Sequence, residues 1–168
     1  MVQTIYLSEN KPYPNNELPV LFYQNILEDI LGKDYTTEGV LRLFENNGYV
    51  NGWVGGIMNR HHFHSTAHEV LACTRGEVTV ILGGENGEIT PIRKGDVVLL
   101  PAGTSHKKVD ASENFEIVGA YPTNGSDYDF QYGDANDYQA IKDRIREVEL
   151  PQTDPVTGSP GAVQDNWL

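Results

Sequence analysis

The 168-residue chain carries 12 Lys plus Arg against 24 Asp plus Glu, a formal net charge of −12. Its long-range field therefore repels phosphate backbones and anionic membrane surfaces, which argues against nucleic acid or membrane as a partner. The length suits one domain, 1–168, able to bury roughly 70% of its unfolded surface. A single cysteine, Cys73, precludes an intrachain disulfide, and no basic leader precedes an uninterrupted apolar stretch, so a cytoplasmic setting is expected.

In chain order, residues 1–17 are polar, contain Pro12 and Pro14, and read as an extended arm with one short strand around Thr4-Ile5-Tyr6-Leu7. Such an arm can cover a sheet edge across a twofold axis, and a homodimer is expected on that ground. Residues 18–50 supply a strand and a covering helix. The apolar positions 20, 21, 23, 26, 27, 30 and 31 fit helix and strand alike, with a strand followed by a short helix preferred. Thr36 and Thr37 then offer an N-cap to a helix carrying Val40, Leu43 and Phe44, which Asn47-Gly48 ends.

From residue 52 to 121 the hydrophobic period shifts to two. Short apolar strands are punctuated by Gly-Gly, Asn-Gly, Arg-Lys-Gly and Pro-Ala-Gly turns, including a hairpin around Gly83-Gly84-Glu85-Asn86-Gly87. That spacing predicts a barrel or jelly roll. Residues 122–133 read as loop and Asp134–Arg146 as a helix with Tyr138, Ile141 and Ile145 on its stripe. In the tail, Pro151, Pro155, Gly158, Pro160 and Gly161 argue against regular structure, while Trp167 suggests anchorage in a groove.

Four of the five histidines fall between His61 and His68, followed at once by Glu69. On a strand, His62 and His64 project from one face. Ser65 to His68 can turn the chain back, so that Glu69 opens the next strand toward the same interior, with Leu71 and Cys73 behind it. His106 joins them if the strand Asp96–Leu100 pairs nearby and Pro101-Ala102-Gly103 turns the chain at its end. Three imidazoles and one carboxylate suit one divalent transition metal, Fe, Mn, Ni, Co or Zn, and leave coordination positions open. The competing reading, two polar residues on a solvated strand face, does not account for Glu69 and His106 falling in register.

By alternation His61 points outward. A bulge after the turn would rotate His68 inward as a further donor or substitute ligand. Cys73 falls on the lining face, though a lone cysteine is commonly a small buried hydrophobe. Arg60 and Tyr121 are candidate substrate contacts of unfixed direction, and Phe63, Phe115 and Tyr121 read as packing.

The same residues resemble the cupins. The first cupin motif, Gly, five residues, His-x-His, three or four residues, Glu, six residues, Gly, is met by Gly56, His62-Phe63-His64, Glu69 and Gly76. The second, Gly, five residues, Pro-x-Gly, two residues, His, three residues, Asn, is met by Gly95, Pro101-Ala102-Gly103 and His106, with Asp110 in place of Asn. More narrowly, the chain is similar to the small single-domain cupins of the YjlB type. The likeness runs through Leu18-Pro19-Val20-Leu21, Leu41-Arg42-Leu43-Phe44, Asn47-Gly48-Tyr49, the run His61 to Leu71 and the ending Leu150 to Val156 with Gly158. The resemblance implies an all-β fold with minor helices, a double-stranded β-helix or jelly-roll barrel around one metal, helices packed at the N- and C-terminal ends, and a dimer. It carries the ligand pattern onto His62, His64, Glu69 and His106 only. It implies no substrate.

Two function classes remain. An enzyme of this design would act on a small organic molecule by oxygenation, isomerisation or decarboxylation, using a metal with two adjacent open positions; dioxygenases and sugar-type isomerases both occur among cupins. No general base can be named. Alternatively, the barrel is a metal-dependent binding or sensing module without turnover. Residues 51–126 carry eight acids and six bases, close enough to neutral that an anionic substrate is compatible with the overall charge.

Overall fold

The computed structural model describes residues 2–168. Two antiparallel sheets form the body among them. Strands β1 (Val2–Ile5), β2 (Val20–Tyr23), β3 (Tyr49–Gly55), β4 (Glu69–Arg75), β7 (Val97–Leu100) and β9 (Glu116–Pro122) make one sheet in the order β1-β2-β7-β4-β9-β3. Strands β5 (Glu77–Leu82), β6 (Glu88–Arg93) and β8 (His106–Ala111) make the other, in the order β6-β5-β8. The fold is mostly β with few helices, as the resemblance implied.

The sheets differ in how their sequence reads, and burial explains why. The three-stranded sheet has one face on the core and one in solvent, so β5 and β6 alternate. The six-stranded sheet is covered on both faces through its middle, where strands β2 and β7 are buried and apolar at every position, Val-Leu-Phe-Tyr and Val-Val-Leu-Leu. Toward the barrel interior it presents Val20, Phe22, Leu71, Cys73, Val98 and Leu100, packed against Val78, Val80 and Ile92 of the smaller sheet. Its other face, with Leu21, Val70, Ala72 and Val118, packs against helix α2 (Thr37–Asn46) and the C-terminal tail.

Helix α2 starts where Thr36 Oγ1 accepts a hydrogen bond from Gly39 N–H at 3.0 Å, and ends at Asn47 and a left-handed Gly48 (φ 82°). Its buried Val40 and Phe44 lie on the sheet. The preceding strand and short helix, α1 (Leu27–Leu31), form as expected.

Three expectations need correction. The strand of the N-terminal arm is Val2–Ile5, and it pairs with β2 of its own chain, where it completes the sheet edge. Asn10 and Asn15 pin the rest of the arm to the carbonyl of Gly83 in the β5–β6 hairpin. The C-terminal helix α3 (Tyr138–Arg146) begins four residues later than Asp134, in keeping with the low helix propensity of Asp134, Asn136 and Asp137. The tail is not wholly irregular. One short helix, α4 (Ala162–Asn166), follows Gly161, and the buried Asp154 carboxylate organises it by accepting N–H groups of Val156, Thr157 and Val163. Trp167 is seated as expected, its indole N–H donating to the Pro19 carbonyl at 2.9 Å. Among the described residues no helix is long and apolar enough to cross a membrane.

Candidate metal centre

His62 and His106 face each other across an isolated antiparallel bridge, with N–H to carbonyl bonds of 3.2 and 2.9 Å in the two directions. Their ring centroids lie 4.1 Å apart. Two residues on, the His64 carbonyl accepts the Gly103 N–H at 2.8 Å, which holds the histidine run against the Pro-Ala-Gly turn. Gly103 has a φ of 87°, and a Cβ there would meet the Asn15 carbonyl at 2.6 Å, so the turn before His106 requires glycine. Donor atoms of His62, His64 and His106 all lie within 4.8 Å of one another, and all three residues are buried. Glu69 opens β4 as expected, and its Oε1 stands 3.3 Å from His64 Nε2 and 3.5 Å from His106 Nε2. The structure thus brings His62, His64 and His106 together inside the sheets, with Glu69 beside His64 and His106.

The second nitrogen of each ring fixes the chemistry of this group. Nδ1 of His62 meets the Arg60 carbonyl at 2.8 Å, that of His106 the Thr104 carbonyl at 3.0 Å, and that of His64 the Asp129 carbonyl. A carbonyl only accepts, so each Nδ1 carries the proton, and in the neutral rings each Nε2 turns a lone pair inward. Glu69 adds an acceptor. A buried cluster made only of acceptors calls for a cation, and imidazole nitrogen with carboxylate oxygen matches a divalent transition metal.

Without a metal, a proton serves that need, and burial and neighbouring charge decide between His64, Glu69 and His62. Burial alone would lower His64, but the Glu69 carboxylate outweighs it and raises the imidazole above its ordinary value. Burial alone would raise Glu69, but His64 and His106 hold it well below the usual carboxylate range. His62, desolvated and beside His106, is pushed down to about 3.

The carboxylate is oriented from behind. Tyr121 donates its hydroxyl to Glu69 Oε2 at 2.7 Å and accepts the Trp53 indole N–H at 2.9 Å. Gly119 makes this possible: it pairs with Trp53 across β3 and β9, and a Cβ there would sit 2.3 Å from the indole. The register shift in β3 between Val50 and Trp53 re-aims the strand at this point.

Above the four residues lies a cavity of about 300 Å³, walled by Trp53, Ile57, Leu71, Tyr121 and Tyr128. It opens at Met58 and Phe130, the latter 49% exposed. Tyr128 stacks on Tyr121 with centroids 4.2 Å apart. Tyr128, Asp129 and Phe130 lie in the segment that read only as loop. Its alternating Tyr128, Phe130 and Tyr132 were the available signal.

Of the remaining sequence candidates, Tyr121 lines the cavity and the others lie elsewhere. His61 faces away from the triad, but it is buried, with its ring 5.2 Å from Tyr13 and Nε2 3.3 Å from Glu85, because the arm folds back over it. His68 does not enter the site. Its Nδ1 accepts the Ala102 N–H, its ring lies 5.0 Å from Trp167, and it floors a separate cleft of about 570 Å³ between the arm and α3. Cys73 packs among apolar side chains deeper in the barrel. Arg60 stacks on Tyr132 at 3.9 Å and stands 3.9 Å from Asp134. Phe63 packs against α3, and Tyr121 both packs and holds Glu69.

Two sheets closing over a buried histidine group, with both motifs in place, define a cupin, and the chain belongs to that family. Residues 48–117 match the Cupin domain family. The chain is 35% identical over 99% of its length to the Bacillus subtilis (strain 168) "Uncharacterized protein YjlB", covering 96% of that protein, so it is a small cupin of the YjlB type. It is also similar to procruciferin, the 11S globulin of Brassica napus (22% identity, 45% of this chain and 21% of that one, TM-score 0.39). A further likeness is to acireductone dioxygenase from Bacillus anthracis with a cadmium ion in its active centre (14% identity, 62% and 78%, TM-score 0.40).

Proposed function

We propose that this cupin holds one divalent transition metal, Fe, Mn, Ni, Co or Zn, through His62, His64, Glu69 and His106, and acts there on a small organic molecule entering past Met58 and Phe130. The observation that carries this reading is that every triad Nδ1 is bound to a backbone carbonyl, that the three rings bring donor atoms within 4.8 Å of one another, and that Nε2 of His64 and of His106 face Glu69. When bound, the metal supplies Lewis acidity and open positions for two substrate oxygens.

The protein's own part is positioning and exclusion. Tyr121 holds one Glu69 oxygen so that the other faces the imidazoles, and the aromatic walls keep water from the centre. Among the described residues the cavity is lined by no acid or base beyond the four proposed ligands and two tyrosines, of which Tyr121 is already committed to Glu69. Isomerisation and decarboxylation need a proton carrier at the substrate, for which the Tyr128 phenol alone remains, so oxygenation is the favoured reaction. The exposed mouth favours exchange of substrate with solvent over sealed storage.

Metal analysis of the protein isolated without added metal tests the assignment. A single equivalent is expected, lost in His62→Ala and in His106→Ala; full occupancy in both variants would overturn it. Oxygen uptake by the loaded protein with catechols, β-diketones and small hydroxy acids then separates an enzyme from a binding or sensing module, which would bind without consumption. The proposal includes a homodimer, since β1 and β3 are the outer strands of the larger sheet. Elution at monomer size at micromolar concentration would remove it.

A further inference from the structure

The cavity's lining restricts the charge and polarity of what it admits. We infer that the substrate class is a compact molecule with two adjacent oxygens at one end and an uncharged, apolar body, so that its only charge lies on the oxygens facing His62, His64, Glu69 and His106. The inference rests on the metal reading above and deepens it.

Charge decides the first part. A divalent cation beside the Glu69 carboxylate leaves one positive charge at the centre, which a singly deprotonated pair of substrate oxygens neutralises. A second negative charge on the same molecule would need its own partner, and among the described residues no Lys or Arg lines the cavity. Arg60, close in sequence to the histidines, has its guanidinium over Tyr132 and near Asp134, and Lys108 has its ammonium over Phe115. A carboxylate or phosphate on the body of the substrate would therefore be desolvated unpaired. The diphosphate of a nucleotide sugar, which calls for a cationic clamp, is excluded on the same ground.

Polarity decides the second part. The polar side-chain atoms in the wall are few: the Trp53 indole N–H donates to the Tyr121 hydroxyl, which donates to Glu69, and the Tyr128 hydroxyl remains. A polyhydroxylated body would find one partner in Tyr128 and otherwise turn its hydroxyls to Ile57, Met58, Leu71 and Phe130, where they would lose their water without replacement. A flat or branched hydrocarbon body meets aromatic and aliphatic surface instead. Phe130 and Tyr128, carried by the segment between β9 and α3, set this preference at the mouth.

The test uses cobalt(II)-loaded protein without oxygen, titrated calorimetrically with 4-methylcatechol and with 3,4-dihydroxybenzoate while the cobalt visible bands are recorded. The two probes share their vicinal hydroxyls and differ in a methyl against a carboxylate. 4-Methylcatechol should bind more tightly by at least about tenfold, and Phe130→Arg, at an exposed position, should narrow that gap by giving the carboxylate a partner. Equal or tighter binding of 3,4-dihydroxybenzoate by the unaltered protein, no binding of 4-methylcatechol, or an unchanged gap in Phe130→Arg would each overturn the inference. Failure of cobalt bands to appear before any probe is added would instead overturn the metal reading itself.

Discussion

Each imidazole of the triad is held twice, by the backbone that carries it and by the carbonyl on its Nδ1, whereas Glu69 is held by one phenol. Tyr121→Phe keeps the ring that stacks on Tyr128 and removes the hydroxyl that fixes Glu69 Oε2. Metal affinity is expected to fall about 10–100-fold, measured by competition with a chelator, with the far-ultraviolet circular dichroism unchanged. His68 supports a different expectation. Its Nδ1 accepts the Ala102 N–H at 2.9 Å and its Nε2 lies 3.2 Å from the Glu149 carbonyl, so the neutral ring satisfies both and a second proton would face an N–H. Burial pushes the group down from 6.5 to about 4. Below pH 6.5 the unfolded chain therefore takes up a proton that the folded chain refuses. The stability contribution is complete above that value and is lost as pH falls toward 4, by on the order of 3 kcal/mol. Urea unfolding at neutral and acid pH should show this loss in the native sequence and a flatter dependence in His68→Gln.

At the scale of elements, the segment between β9 and α3 does more than connect. Asp129 accepts the Ser65 N–H at 2.6 Å and the Ser65 hydroxyl, while Arg144 reaches Ser65 Oγ at 3.1 Å from α3. Its carbonyl fixes His64, so the loop that shapes the mouth also orients a proposed ligand. In Asp129→Ala, amide exchange over residues 126–132 should quicken and metal binding weaken, with little change in the global unfolding midpoint; undiminished protection would show that the carboxylate does not hold the loop. How far each element was legible follows from its environment. The N-cap of α2 and the alternation of β5 and β6 are written locally. Strands β2 and β7 hide their period because both faces are buried, and α4 is too short to show one.

Across the whole molecule, the tail and the arm close a structure whose center is the barrel. Asp154 bonds the Tyr23 hydroxyl at 2.6 Å as well as three tail N–H groups, linking residues 154–163 to β2. Cys73, fully buried in the barrel and pushed by burial to about 11, reports on the integrity of this assembly. It should resist Ellman's reagent at pH 8 in the folded protein and react fully in guanidinium; prompt reaction without denaturant would mean that the barrel opens locally.

The sequence by itself determined a barrel of short strands, its motifs pointed by resemblance to a cupin, and the spacing anticipated that His62, His64 and His106 meet with Glu69 beside two of them, because alternation along strands and glycine-bearing turns are local properties that chain order records. Only the tertiary structure decided what surrounds them. Trp53 reaches Tyr121 across 68 positions, His64 reaches Asp129 across 65, and Tyr121 reaches Glu69 across 52. Contacts of that separation have no period to read: they exist because the sheets close on one another, and closure also buried His61 under the arm and turned His68 away from the centre.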